Sequence, residues 1–199
     1  GNEVLSASVT AEGLCSLRVS WEGNRISSLK PIPDESPSPC KVLLPRLAEP
    51  HAHLDKAFTW NEFQNFKGSY QGALEANLQE QKKRTFHSVY TKAEHSLKLA
   101  LNNGFRAVRS HVDSFGSCAD PSWEALLDLR SNWQSLIELQ LVAMAPLEHW
   151  STPEGNLLAV RVASSGGLLG GVLVPPFEKK TYRPLLLQML KLANQLGCA

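Results

Sequence analysis

The chain has 199 residues, 43% hydrophobic and 20% charged, with a formal net charge of +1. That size and balance describe an ordinary globular protein of one domain, or one domain with a small addition. Such a charge, with no basic block beyond Gln81-Lys-Lys-Arg84 (read as a solvated helix face), excludes a nucleic-acid-binding module, and no apolar run is long enough to span a membrane.

Residues 1–45 read as short strands at Val4–Val9, Leu17–Trp21 and Arg25–Leu29, with a turn at Glu22-Gly-Asn24. A proline-rich connector covers Lys30–Pro39. Val42–His53 is an apolar strand broken at Pro45 and ending in His51-Ala-His53. Phe58–Gln71 reads as a long aromatic loop. From Phe86, Val89, Tyr90, Ala93, Leu97, Ala100 and Leu101 recur at helical spacing, and Asn102-Asn103-Gly104 stops that helix. A second strand runs over Phe105–Val112 into Asp113. Asp120-Pro121 predicts an N-cap and a first-turn proline for the next helix. Leu136–Met144 is a third strand. Thr152-Pro153-Glu154 opens a helix to about Ala163, ended by Gly166-Gly167. Leu168–Val174 is a fourth strand, and Tyr182–Leu196 a fourth helix stopped by Gly197.

Strand and helix alternate four times, and the strands are nearly continuously apolar. This predicts an α/β fold with a parallel sheet covered by helices. It amounts to the first four βα units of a TIM (β/α)8 barrel, which needs about 250 residues when complete. Two segments are expected: 1–45 as an N-terminal strand segment and 46–199 as half of the barrel. Half a barrel should expose two strand edges and a Leu/Val-rich inner face, so self-association is expected unless a C-terminal half covers them. The four cysteines, Cys15, Cys40, Cys118 and Cys198, form no Cys-x-x-Cys, which removes zinc-ribbon and cysteine-based deaminase readings. Free thiols and no visible secretory leader predict a cytoplasmic protein.

Chemistry concentrates at the end of the first barrel strand. Residues two apart on a strand share a face, so His51 and His53 project together, with Asp55 continuing that face. Two imidazoles on one face make half of a metal site, with Zn–N distances of about 2.0–2.1 Å. A bare His-x-His often arises by chance. This one follows an apolar run and stops where a loop begins, as metal sites of barrel enzymes do. His87, His95 and His149 read as solvent-facing.

Glu49-Pro-His-Ala-His-Leu-Asp-Lys-Ala-Phe58 resembles the first-strand motif of the amidohydrolase superfamily, in particular its cytosine deaminase and isopropylammelide amidohydrolase branch. Ala107-Val-Arg-Ser-His-Val-Asp113, Ile137-Glu-Leu-Gln-Leu-Val-Ala143 and Gly170-Gly-Val-Leu-Val-Pro-Pro-Phe-Glu178 agree in order and spacing. The resemblance implies a metal-dependent hydrolase or deaminase acting on C–N bonds of a nitrogen heterocycle. It implies one divalent ion, zinc or iron, held by His51 and His53 together with a histidine and an aspartate beyond residue 199. The acid–base residues are expected there too, so no catalytic residue is assigned within this chain, which should be inactive alone. Residues 1–45 would belong to a β-sandwich completed by C-terminal strands.

Substrate-binding positions expected by this resemblance are Lys56, His111, Asp113 and Glu178. His111 and Asp113 also read as a buried hydrogen-bonded pair, and Lys56 as a salt-bridge partner. Pro176 stands where the family has a histidine. Ala145-Pro-Leu-Glu148 replaces a segment in which cytosine deaminases present a glutamine, so cytosine itself is not the expected substrate. The expected partner is a small-molecule substrate, not nucleic acid or a membrane. Two alternatives stand. In one, a binuclear cyclic amidase, a lysine is needed at the end of strand four, where Val174-Pro-Pro-Phe177 has none. The other is a non-catalytic half-barrel that binds a partner.

Overall fold

The computed structural model describes Val9, Ala11 and residues 13–32, 41–173 and 178–198. The chain divides into two compact units, Gly1–Pro45 and Arg46–Ala199. In the first, strands β1 (Leu17–Glu22) and β2 (Arg25–Pro31) pair antiparallel, with a bulge between Ser20 and Trp21. The turn between them places Gly23 at φ +60°, a conformation glycine adopts without steric cost. The described residues of this unit form a hairpin, and the β-sandwich expected around it is not seen. Residues 4–8 of the first predicted strand and 33–40 of the connector lie outside the described residues.

The second unit carries a parallel sheet, half of a β/α barrel, in the order β3 (Leu47–Ala52), β4 (Phe105–Asp113), β5 (Glu138–Pro146), β6 (Leu168–Val172). Its helices are α1 (Tyr70–Gln81), α2 (Phe86–Asn102), α3 (Ala119–Trp133), α4 (Pro153–Ser164) and α5 (Lys179–Leu196). The predicted start and stop signals work where local chemistry decides. α2 starts at Phe86, where the helical spacing begins, behind a reciprocal Thr85–Ser88 capping box that is not among the predicted signals. Thr152 caps α4, with Pro153 at its first position. Gly197 ends α5 at φ +68°. None of the helices among the described residues is long and apolar enough to cross a membrane.

Several boundaries differ from the sequence expectation: β5 runs two residues later than Leu136–Met144, α5 starts three residues before Tyr182, and three further differences have a local cause. β3 begins at Leu47, not Val42. Pro45 donates no backbone hydrogen bond, and pairing starts only when Leu47 N–H donates to Gly104 O (3.2 Å). The loop expected to Gln71 ends at Ser69, whose hydroxyl accepts from Gly72 N–H to cap a helix the apolar spacing does not announce. α3 starts at Ala119, so Asp120 lies inside its first turn and pairs with Arg161 instead of capping.

The two faces of the sheet differ in character. Val108, Val112, Leu139, Leu141, Ala143 and Ala145 turn toward the helices and are buried in one core with Val89, Leu97, Trp123, Leu126, Trp150 and Val162. The alternate positions carry Glu49, His51, Arg109, His111, Glu138 and Gln140. Arg109 Nε and Nη2 donate to Gln140 Oε1 (3.1 and 3.0 Å), and Gln140 Nε2 donates to Glu138 Oε1 (3.1 Å). The Leu/Val-rich inner face expected from the sequence is therefore a mixed face, with these polar groups beside Val142, Met144, Leu168 and Val172. The strands read as continuously apolar because most of their branched residues fall on the helix side, while Val142, Leu168 and Val172 alternate with them onto the other face.

Candidate functional site

The parallel ladder between β3 and β4 reaches Ala52, opposite Ser110. Beyond it, side chains continue the pairing one residue at a time. His53 Nδ1–H donates to His111 O (3.0 Å), and Leu54 N–H donates to Ser110 Oγ (3.0 Å). Asp113 N–H donates to Asp55 Oδ2 (2.9 Å), and Lys56 Nζ donates to Asp113 Oδ1 (2.8 Å). Residues 54–56 form a 3₁₀ turn. The turn carries Asp55 off the histidine face and into the interior, where it is 1% exposed. The expectation that Asp55 continues that face therefore does not hold.

A carbonyl oxygen only accepts, so the bond to His111 O requires the proton on His53 Nδ1 and leaves a lone pair on Nε2. Burial and the neighbouring Lys56 charge lower the His53 pKa to about 4, so the ring is neutral at pH 7. A metal ligand needs both properties. The His51 and His53 ring centroids lie 5.1 Å apart at 75°. Two imidazoles on one tetrahedral ion place their centroids roughly 5 Å apart, given M–N bonds of about 2.0–2.1 Å. This pair therefore fits two positions of a metal site. His111 does not fit a third, because its ring stacks on His51 at 4.0 Å and 24°, closer and more parallel than two imidazoles bound to one tetrahedral ion. Among the described residues no group of three or more ligand side chains is assembled. Burial and the nearby His51 also lower the His111 pKa.

Behind the turn lies a buried ion network. The Arg84 side chain has no exposed surface. Its Nη1 donates to Asp55 Oδ2 (2.9 Å) and Ser122 Oγ (3.2 Å), its Nε to Glu80 Oε2 (2.9 Å), and its Nη2 to Asp113 Oδ2 (3.3 Å) and to Glu80. Asp113 Oδ2 also accepts from Gln81 Nε2 (3.0 Å) and Asn77 Nδ2 (3.4 Å). Asn77, Glu80 and Gln81 share one face of α1 at helical spacing. Burial and the Asp113 charge raise Asp55 to about 6, with Arg84 and Lys56 opposing. Burial also acts to raise Asp113, but Lys56, Gln81 and Arg84 outweigh it and hold that carboxyl at about 2. Burial acts to lower Arg84, yet its hydrogen bond to Glu80 and the three carboxylates hold it above its ordinary value.

The predicted residues thus fall into two groups and one outlier. His51, His53 and His111 come together, and so do Lys56 and Asp113. Glu178 is exposed at the head of α5, where it accepts from Thr181 Oγ1 (3.3 Å). The strand-four motif between it and β6, with Val174, Pro176 and Phe177, lies outside the described residues. His87 and His95 are exposed, His95 against the Phe58 ring (4.9 Å). His149 is half-buried against Phe115. Arg84, read from sequence as solvated, is the buried centre of the network. The Glu80–Arg84 spacing of i,i+4 signalled an ion pair, but nothing local signalled its burial.

The His53 proton affinity yields a direct test. In nuclear magnetic resonance, the His53 imidazole should titrate near pH 4, and a midpoint at or above 6 would contradict the packing described. Unfolded, the ring titrates near 6.5, so between about 4 and 6.5 the unfolded chain binds more protons. His53 therefore favours the fold above pH 6.5, and its contribution falls as pH drops toward 4. Asp55 has the opposite sign between about 3.8 and 6, because there the folded chain binds more protons.

No protein-family model matches the chain. It is 35% identical over 134 residues to pterin deaminase of Rhizobium rhizogenes, covering 66% of this chain and 30% of that protein. It is 24% identical over 147 residues to N-isopropylammelide isopropyl amidohydrolase of Pseudomonas sp., covering 71% and 36%. Among solved structures, it resembles 5-methylcytosine deaminase from Klebsiella pneumoniae liganded with phosphonocytosine (TM-score 0.74, 21% identity, 92% of this chain and 47% of that one). It also resembles N-isopropylammelide isopropylaminohydrolase from Burkholderia multivorans (TM-score 0.67, 24% identity, 91% and 47%). The chain thus spans about a third of the length of its curated relatives and just under half of these structures.

Proposed function

The chain belongs to the amidohydrolase superfamily, and from that premise we propose that it forms the metal-binding, substrate-facing part of a hydrolase that cleaves a C–N bond of an amino-substituted nitrogen heterocycle. The observation that carries this reading is the His53 geometry: a neutral ring, its Nδ1 proton tied to His111 O, 5.1 Å from His51. His51 and His53 hold one divalent ion, zinc or iron, both of which suit imidazole donors. Such an ion supplies the Lewis acidity that makes water a nucleophile at neutral pH.

The chain's own residues bind and orient. Asp113 has both oxygens taken by Lys56, Gln81, Asn77 and Arg84, so it aims the Lys56 ammonium rather than touching substrate. Lys56 keeps N–H donors for a carbonyl or ring-nitrogen acceptor. His111 lies with its ring stacked on His51. Glu178 follows β6 at the end of the sheet where barrel enzymes bind substrates. The proton transfers that release the amine are assigned to no residue of this chain. The likeness to pterin deaminase favours an amino-substituted bicyclic ring over cytosine. The β1–β2 hairpin is taken as part of the composite β-sandwich that the family resemblance implies.

The test measures ammonia or amine release from a pterin, 5-methylcytosine and an alkylamino-triazine, with zinc or ferrous iron supplied. It compares the 199-residue chain with the protein recovered from its own cells by an antibody to residues 1–199. Turnover is expected in the recovered protein and not in the chain alone. No turnover by either defeats the hydrolase reading, and turnover by the chain alone defeats the expectation that further residues are needed.

A further inference from the structure

We propose that Arg84 is a positioning residue for the histidine pair, acting through Asp55 and Asp113 on a site that it does not touch. The inference rests on reading His51 and His53 as metal ligands. Four consecutive residues, His53 to Lys56, are each bonded to the end of β4 after the backbone ladder has stopped. Two of those four bonds end on carboxylates, Asp55 and Asp113, and Arg84 holds both. Without a cation between them, two carboxylates on neighbouring strand ends repel in a low-dielectric interior. The turn would then lose its Asp55 and Lys56 anchors, and the His53 ring would depend on the His111 carbonyl alone.

Arg84 is suited to this by shape. Its planar fork reaches Asp55, Asp113, Glu80 and Ser122 at once, from a chain position just after α1. A lysine ammonium carries the same charge as a compact point and spans fewer of these partners. Residues that orient metal-ligating histidines through a second contact commonly change metal affinity by about 10–100-fold when altered. Arg84 stands one bond further out, and the rigidity of the 53–56 turn transmits its effect.

Zinc binding to the 199-residue chain is measured by calorimetry, and the His53 tautomer by long-range ¹H–¹⁵N correlation. The chains compared are the unaltered one, Arg84→Lys, His53→Ala and Leu129→Ala. Leu129 is buried in the α3 core and its apolar side chain makes none of the network's hydrogen bonds or ion pairs, so its truncation is a control for lost stability. Arg84→Lys should weaken zinc binding about tenfold and shift His53 from the Nδ1–H form toward a mixture of tautomers. Leu129→Ala should lower stability at least as much with both readouts unchanged. Unchanged zinc affinity and tautomer in Arg84→Lys overturns the proposal, as does the same loss in Leu129→Ala. If Arg84→Lys does not fold, Asp113→Asn replaces it, with the same change expected at smaller size and the same overturning result. If His53→Ala binds zinc as well as the unaltered chain, the metal-site reading fails, while the tautomer still decides the role of Arg84. If His53→Ala loses zinc and Arg84→Lys does not, only the positioning role falls.

Discussion

Replacing Arg84 by methionine should cost about 3–5 kcal/mol, the penalty for leaving buried charges without their partner. The side chains of Asp55, Glu80 and Asp113 are 0%, 6% and 10% exposed. Methionine fills much the same volume and supplies no donor. The remaining cation of the cluster, Lys56, pairs with Asp113 and reaches neither Asp55 nor Glu80 in any described bond. A domain of this kind is stable by about 5–15 kcal/mol, so roughly a fifth or more of the total rests on one guanidinium. Urea unfolding followed by tryptophan fluorescence measures it, since Trp123 sits at 0% exposure in the same core. Adding Asp55→Asn to Arg84→Met should recover part of the loss, because the double change removes a stranded carboxylate together with its partner. A single-variant loss under about 1 kcal/mol, within the range of exposed pairs, would mean that the network is solvated rather than buried.

Gly155→Ala should be nearly as damaging, against the usual rule. Alanine normally stabilises a helix over glycine by about 1 kcal/mol. At this position in the first turn of α4, a Cβ would lie 1.9 Å from His149 O and 2.6 Å from His149 C. Both are backbone atoms of the 3₁₀ turn Leu147–Ser151, so no side-chain rotation relieves the clash. That turn seats Leu147 and Trp150 in the core, and Trp150 Nε1 donates to Gly170 O (3.0 Å). Moving the turn disturbs both, for an expected loss of about 3 kcal/mol. Gly166→Ala makes the comparison. Its cost is confined to φ +68°, with nothing within 4 Å of the new methyl, and should be about 1–2 kcal/mol. Equal unfolding midpoints for the two variants would refute the steric account.

Much of the barrel half was legible because its cues are local. Apolar runs separated by helical spacing marked β4, β5, β6 and the helices between them. Thr152, Gly104 and Gly197 bounded elements through their own side chains or their lack of one. α1 escaped because its sequence, Tyr70–Gln81, has no apolar stripe; its inward face is Asn77, Glu80 and Gln81, and it packs through charge. β3 was drawn too long because Val42-Leu-Leu44 is apolar yet exposed.

The sequence by itself determined that His51 and His53 share a side, since the two-residue period of a strand needs no partner. It also determined the repeating strand–helix order, and with it a parallel sheet. Only the tertiary structure decided what lies around the pair. His111 joined it through the alignment of β4 beside β3, yet stacked on His51 rather than placed as a third ligand. Asp55 left it because the chain turns after Leu54. Arg84 moved from an apparent surface run to the interior because three carboxylates from β4, α1 and the 53–56 turn meet where it lies. Spacing along a chain reports which face a residue occupies, whereas desolvation depends on what other segments bring to that face, and charge pairing across segments leaves no local period to read.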